Sequence, residues 1–295
     1  MNTKLLHNTN SEYNAIINAI VSIVSPVAVI HYGRWIFLNT KSRKSTSIAT
    51  NETLNLLVIL DAKDSHSNEG DLINRIENRL LRVKKSSVLV HSLDFVNEGL
   101  SWGQDFFIDI IERGKIIYQS DRFLITTYFK INPQSKIQRV KDVFNNFHIK
   151  GLQFLHLANI TYLSENLHVS IFLIHQATEL LMRSILVTHT RYDPRTHNLS
   201  QLVRYCRHIT PQIDKIFFTK GENDQQSIAD FRSLQDSYIS ARYQLGYHID
   251  KKLVRILLTK TKRLGKLSAL LEIRLLNKLS KQFLIKPDKR SKIIL

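Results

Sequence analysis

The sequence predicts an α+β chain, and two observations predict it. Over the first 120 residues or so, short apolar runs alternate with helical patterns. Beyond a mixed stretch at 119–137 that contains Pro133, apolar residues recur only at the three-and-four spacing of helices. A small mixed α/β domain followed by an all-α up-and-down helical bundle fits this order. The expected boundaries are 1–125 for the first domain, 136–285 for the bundle and 286–295 for a basic tail. The 295 residues are 43% hydrophobic and 23% charged, an ordinary globular composition with apolar material for two cores.

The elements are justified in chain order. Residues 10–24 read as an amphipathic helix ending before Pro26. VAVIHYG, 27–33, reads as a buried strand running into Gly33. The Ser/Thr-rich stretch 39–53 reads as a polar loop. LNLLVIL, 54–60, is a second strand ending at Asp61, and 62–70 is polar again. DLINRIENRLLRVK, 71–84, is helical, SVLVHSL, 87–93, is a third strand, and helical patterns fill 95–113. GKIIYQ, 114–119, is a short final strand.

In the second half, Val140, Phe144, Phe147, Gly151, Phe154 and Ala158 mark one long helix. Residues 167–189, LHVSIFLIHQATELLMRSILVTH, form the most apolar helix. His175, Gln176 and Glu179 are its main polar interruption, with His175 and Glu179 four apart on one face. HTRYDPRTHN, 189–198, is a turn. Asn198 can cap a helix over 199–209, with Gln201 three residues on. Residues 210–225 read as a polar loop. Ile228, Phe231, Leu234, Tyr238, Ala241 and Leu245 mark a further helix stopped near Gly246. The last helix, 250–284, buries Leu253, Leu257, Leu264, Leu267, Leu271 and Leu275, with Gly265 as a weak point.

The charge is +17, and it is uneven. Residues 251–295 carry 14 Lys/Arg against Glu272 and Asp288, a net of +12. Such a balance suits a polyanion, nucleic acid being the commonest, while a solvated basic helix face is the plainer account. Cys206 is the single cysteine, which excludes an internal disulfide and a cysteine-based zinc cluster. The apolar runs are short of a membrane span and the N-terminus is polar, so a cytoplasmic protein with no membrane partner is expected. The twelve histidines show no metal-ligand spacing, so no metal is expected. No glycine-rich phosphate loop or serine-nucleophile motif is present, and no cofactor is implied.

HQATELLMRSIL, then HNLSQLVRYC after a turn, then SARYQLGYHID at the end of a later helix, is an ordered set of signals. In this order the chain resembles the HEPN family of prokaryotic helical domains over about 140–280. Gln176, Ala177 and Glu179 match the family's Gln-Ala-x-Glu core. His197 and Leu199 match its His-x-Leu start, and Arg242 with His248 matches its Arg-x(4–6)-His motif. The resemblance implies nucleotide or RNA binding, an endoribonuclease site at Arg242 and His248, and assembly as a homodimer. His175, Gln176, Glu179, His197, Tyr238 and Tyr247 are the expected supporting or lining residues. A non-catalytic dimerisation or regulatory module is the alternative. Asp250 stands where toxin members carry a tyrosine two residues after the motif histidine.

Metal-independent RNA cleavage needs a group to move the 2′-hydroxyl proton and one to stabilise the crowded phosphorus. Histidine suits the first task and an always-charged, forked guanidinium the second. Six residues span about 240° of a regular helix, so Arg242 and His248 share a face only if the helix ends between them. Gly246 supplies that place. Arg242 could instead pair with an acid such as Glu179 and tie helices together.

HEPN domains often follow a nucleotidyltransferase domain, and the first half resembles one that has degenerated. Gly33-Arg34 replaces Gly-Ser, and Asn55 and Leu57 occupy the alternating positions where two carboxylates would bind magnesium. Asp61 and Asp64 are misplaced. Such a domain would lack two-metal transfer chemistry. Arg34, Lys41, Arg43 and Lys44 lie on or near the loop that would face phosphates.

Overall fold

The structure, a computed structural model, describes residues 11–38, 50–61, 69–128, 133–194, 196–218 and 224–284. The chain is α+β and divides into two compact units, Met1–Lys130 and Ile131–Leu295.

The first unit runs α1 (Ser11–Val21), β1 (Pro26–Leu38), β2 (Thr50–Leu60), α2 (Glu69–Leu80), β3 (Ser86–Ser92), α3 (Leu93–Ser101), α4 (Asp105–Arg113) and β4 (Lys115–Gln119). Its sheet has the order β3-β2-β1-β4. β1 is antiparallel to both β2 and β4, whereas β2 and β3 are parallel, joined through α2. Leu54, Leu56, Val58 and Leu60 alternate onto one face, where they pack with Ile16, Ile20 of α1 and Ile73, Ile76 of α2. Leu57, Ile59 and Leu89 are equally buried. They take the other face, on the side of α3 and α4. A strand covered on both faces must read as a continuous apolar run, and LNLLVIL does.

Two expectations in this unit need correction. The polar stretch 39–53 is not all loop, because Thr50–Thr53 extend β2 and pair with Trp35–Leu38. A hairpin arm needs only a partner for its backbone, and β-branched Thr53 suits the pleat. The helical stretch 95–113 is two helices. Ser92 caps the first by accepting from Phe95 N–H at 3.2 Å. Gly103, at φ 64°, turns the chain between them, with Gln104 N–H donating to the Gly99 carbonyl. Lys41, Arg43, Lys44 and Asp64 lie outside the described residues.

The second unit is helical: α5 (Pro133–Leu163), α6 (Leu167–Thr190), α7 (Leu199–Arg207), α8 (Gln212–Phe217), α9 (Gln225–Tyr243) and α10 (Lys251–Leu284). α6 is its core, packed by α5, α7, α9 and α10. Ile171, Ile174, Ala177, Leu181 and Ile185 are fully buried along it. α6 is also long and apolar enough to cross a membrane by length and composition, but 72% of its apolar window is buried within the structure. α8 corrects the expected loop at 210–225. Ile213 and Phe217 are buried and anchor it. Leu245, placed in the α9 stripe by its spacing, is 99% exposed because the helix ends at Tyr243. The tail 286–295 lies outside the described residues.

Gly151 lets α5 lie close against Leu181 of α6. A Cβ on Gly151 of α5 would lie 2.9 Å from Leu181 Cγ on α6. Gly265 does not break α10. It is buried, with Leu152 as its nearest neighbour.

Candidate functional site

Glu179 is the fixed point of the polar cluster on α6. It accepts from Arg183 Nε at 3.2 Å, one turn on, and from His197 Nδ1 at 3.1 Å through either oxygen. A carboxylate only accepts, so this contact places the proton on Nδ1. Arg183 continues the network to Asp193 and donates to the Thr196 carbonyl at 2.9 Å. The side chains of Glu179 and Arg183 are 7% and 10% exposed. The network therefore pins the 189–198 turn to α6 and aims His197 toward α9.

Tyr238 of α9 receives it. The His197 ring stacks on the Tyr238 ring at 5.1 Å and 12° between planes, and the His175 ring meets it at 5.0 Å. His175 is wholly buried. Gln176 Nε2 lies 3.3 Å from its Nδ1, and its Nε2 has no hydrogen-bond partner. Burial first, then the neighbouring His197 and Arg242, pushes His175 down to about 4. It is an uncharged wall of the site at neutral pH.

Arg242 lies at the open edge of this cluster. Its Nε donates to the Tyr238 carbonyl at 2.7 Å, and its guanidinium sits over the Tyr238, Tyr243 and Phe172 rings at 4.2, 4.9 and 5.3 Å. Three aromatic faces hold the plane of the cation while leaving it exposed. α9 ends one residue later, and Gly246, at φ 70°, turns the chain. His248 follows, exposed. Asp250 then starts α10 by accepting from Lys252 N–H at 3.0 Å. Tyr247, half-buried, meets His168 edge-on at 5.6 Å.

The structure thus gathers His175, Gln176, Glu179, His197, Tyr238 and Arg242. Among the described residues, no hydrogen bond, ion pair or ring contact joins Arg242 to His248, and Tyr247 contacts His168 instead of the cluster. Glu179 is engaged by Arg183 and His197, so the expectation of an Arg242–Glu179 pair is corrected. Sequence reasoning missed Arg183, Asp193, Phe172 and Tyr243. The i, i+4 spacing of Glu179 and Arg183 was a usable signal. Asp193 and Phe172 reach the cluster only through tertiary packing.

In the first unit, Asn55 and Leu57 are buried in β2. Arg34 pairs with Glu52 at 2.8 Å and Asp61 with Arg122 at 2.8 Å. Among the described residues, no group of three His, Cys, Asp or Glu side chains is placed to hold a metal ion.

Comparison with known proteins places these features. Residues 148–271 match the family model of the HEPN domain. No curated protein matches the chain. The chain is similar to a nucleotidyltransferase-like protein of known crystal structure from Exiguobacterium sibiricum. That likeness has 12% identity, 96% of this chain and 81% of that chain covered, and a TM-score of 0.27, which is too loose to carry an argument about either unit. The cluster on α6, α9 and the turn between α9 and α10 all fall inside the range, residues 148–271, that matches the HEPN domain model.

Proposed function

We propose that the HEPN domain binds nucleotide or RNA at the α6–α9 edge and cleaves RNA there without a metal, using Arg242 and His248. The observation that carries this reading is the exposed Arg242 guanidinium held on three aromatic rings. A planar cation beside exposed aromatic surface suits a phosphodiester and the base next to it. His248 would take the 2′-hydroxyl proton as that oxygen attacks phosphorus. Arg242 would stabilise the charge on the phosphoryl oxygens as the 5′-oxygen leaves and takes a proton from water, giving a 2′,3′-cyclic phosphate and a 5′-hydroxyl. Tyr247 lies beside His248 in sequence and is a lining residue in this reading.

The test is incubation of the purified chain with mixed single-stranded RNA in EDTA, beside His248→Ala. Cleavage by the wild type alone supports the nuclease. Cleavage by neither, with RNA retention that weakens in salt, reduces the reading to binding.

A second reading has its own support. Ile239, Tyr243 and Leu245 are exposed around Arg242. A second copy covering them would make this edge a homodimer face, and sedimentation of the wild type against Leu245→Lys tests it. For the first unit, buried Asn55 and Leu57 in place of metal-binding carboxylates support a degenerate nucleotidyltransferase-like domain that transfers nothing.

A further inference from the structure

α10 begins immediately after the Arg242–His248 turn and runs 34 residues, about 50 Å at the usual helical rise. Its inner side is buried at Val254, Leu257, Leu264 and Leu271. Its outer side exposes Arg255, Lys262, Arg263, Lys266, Arg274 and Lys278. Glu272 is the only acid on the helix, and it lies near Lys141 of α5. Among the described residues, none of these six cations makes an ion pair or a hydrogen bond through its side chain.

An ordinary solvated helix face mixes signs, because like charges three or four apart repel. Here Lys262 with Lys266 and Arg274 with Lys278 are like pairs at i, i+4, and Arg263 with Lys266 is one at i, i+3. The uncompensated row calls for an anion of matching length. Among the described residues of α10, Leu270 and Ile273 are the large exposed apolar side chains, too few to seat the helix in a lipid surface. Lys262 also lines a shallow depression with Leu152, Leu155, His156 and Asn159. That depression offers an apolar floor with hydrogen-bonding side chains, the surroundings an unstacked base takes.

We infer that the outer face of α10 is a phosphate-backbone track for RNA, leading away from the Arg242 turn. The inference deepens the RNA reading of that turn and rests on it for direction. The track holds the strand by charge, and the turn acts on one phosphodiester of it.

The experiment follows a fluorescent single-stranded RNA, long enough to span α10, by anisotropy over a salt series, with cleavage read on gels from the same samples. Lys262→Gln, Lys266→Gln and Arg274→Gln are combined in one variant. The control removes the same charge from exposed positions of α2 and its C-terminal flank, with Arg75→Gln, Arg79→Gln and Arg82→Gln combined. Gln keeps helix propensity, so both variants fold. The α10 variant should lose about tenfold or more in affinity, and its log–log salt slope should flatten by about 2. The control should bind as the wild type does. Equal binding by the α10 variant, equal loss in the control, no RNA binding by the wild type, or capture of phosphatidylserine vesicles instead of RNA would each overturn the track. If His248→Ala cuts as the wild type does while the α10 variant still loses affinity, the nuclease reading fails and the track stands.

Discussion

At the scale of single residues, burial sets what each group can do. His175 and His91 are both buried, and burial pushes them to about 4 and about 3. Both are neutral when folded and take up protons when unfolded. Their effect on stability is therefore nil above the ordinary histidine range and grows as pH falls through it toward 4. The urea midpoint should fall between pH 7.5 and 4.5, and His175→Gln should recover part of that fall, on the order of 2–3 kcal/mol. Cys206 is fully buried and its thiol is pushed up by burial alone. It should resist alkylation in the native protein and react fully in denaturant, as mass spectrometry would read. Glu179→Ala removes the buried acceptor shared by Arg183 and His197. Asp193 and the Thr196 carbonyl remain for Arg183, so the expected loss is about 2–3 kcal/mol in chemical denaturation. His197 would also be freed from its aim at Tyr238.

At the scale of elements, two glycines on neighbouring helices should respond in opposite directions. Gly151→Ala places a methyl 2.9 Å from Leu181 Cγ in the core, and overpacking there costs about 1–3 kcal/mol. Gly265→Ala meets the end of Leu152 at 3.3 Å and Leu181 at ordinary contact distance, 3.7 Å or more, so the gain in helix propensity, up to about 1 kcal/mol, should dominate. Thermal melts of the two variants separate the cases. Elements with strong internal periodicity were legible in the sequence, above all α6, α10 and β2. Those missed were specified from outside themselves. The first residues of β2 are a strand because β1 extends to meet them. α8 is a short helix because Ile213 and Phe217 find a core. The break at Gly103 was legible as Trp-Gly, but periodicity on both sides of it hides the change of axis. The candidate site divides the same way. Its members within one helix or motif could be read, while the meeting of Tyr238 with His175 and His197 depends on how α6, α9 and the turn before α7 pack.

At the scale of the whole molecule, charge and fold are decoupled. Among the described residues the Lys and Arg side chains are mostly exposed, Arg183 and Lys260 being buried exceptions, while the two cores are built from ordinary apolar residues. Stability should therefore depend weakly on salt, and binding to polyanions steeply. Melting temperatures and heparin elution, each followed across one salt series, check both parts of that statement.

The turn at Gly246 carries a consequence for how this chain can diverge. A side chain added there would find no atom within 4 Å, so the only obstacle is the positive φ, a matter of about 1–2 kcal/mol. Leu245 beside it contributes nothing to packing. Residues can thus be gained, lost or exchanged in this turn without disturbing the bundle. The distance between guanidinium and imidazole is accordingly open to drift under selection, whereas the Glu179–Arg183–His197 lock, with every member tied to another, is not.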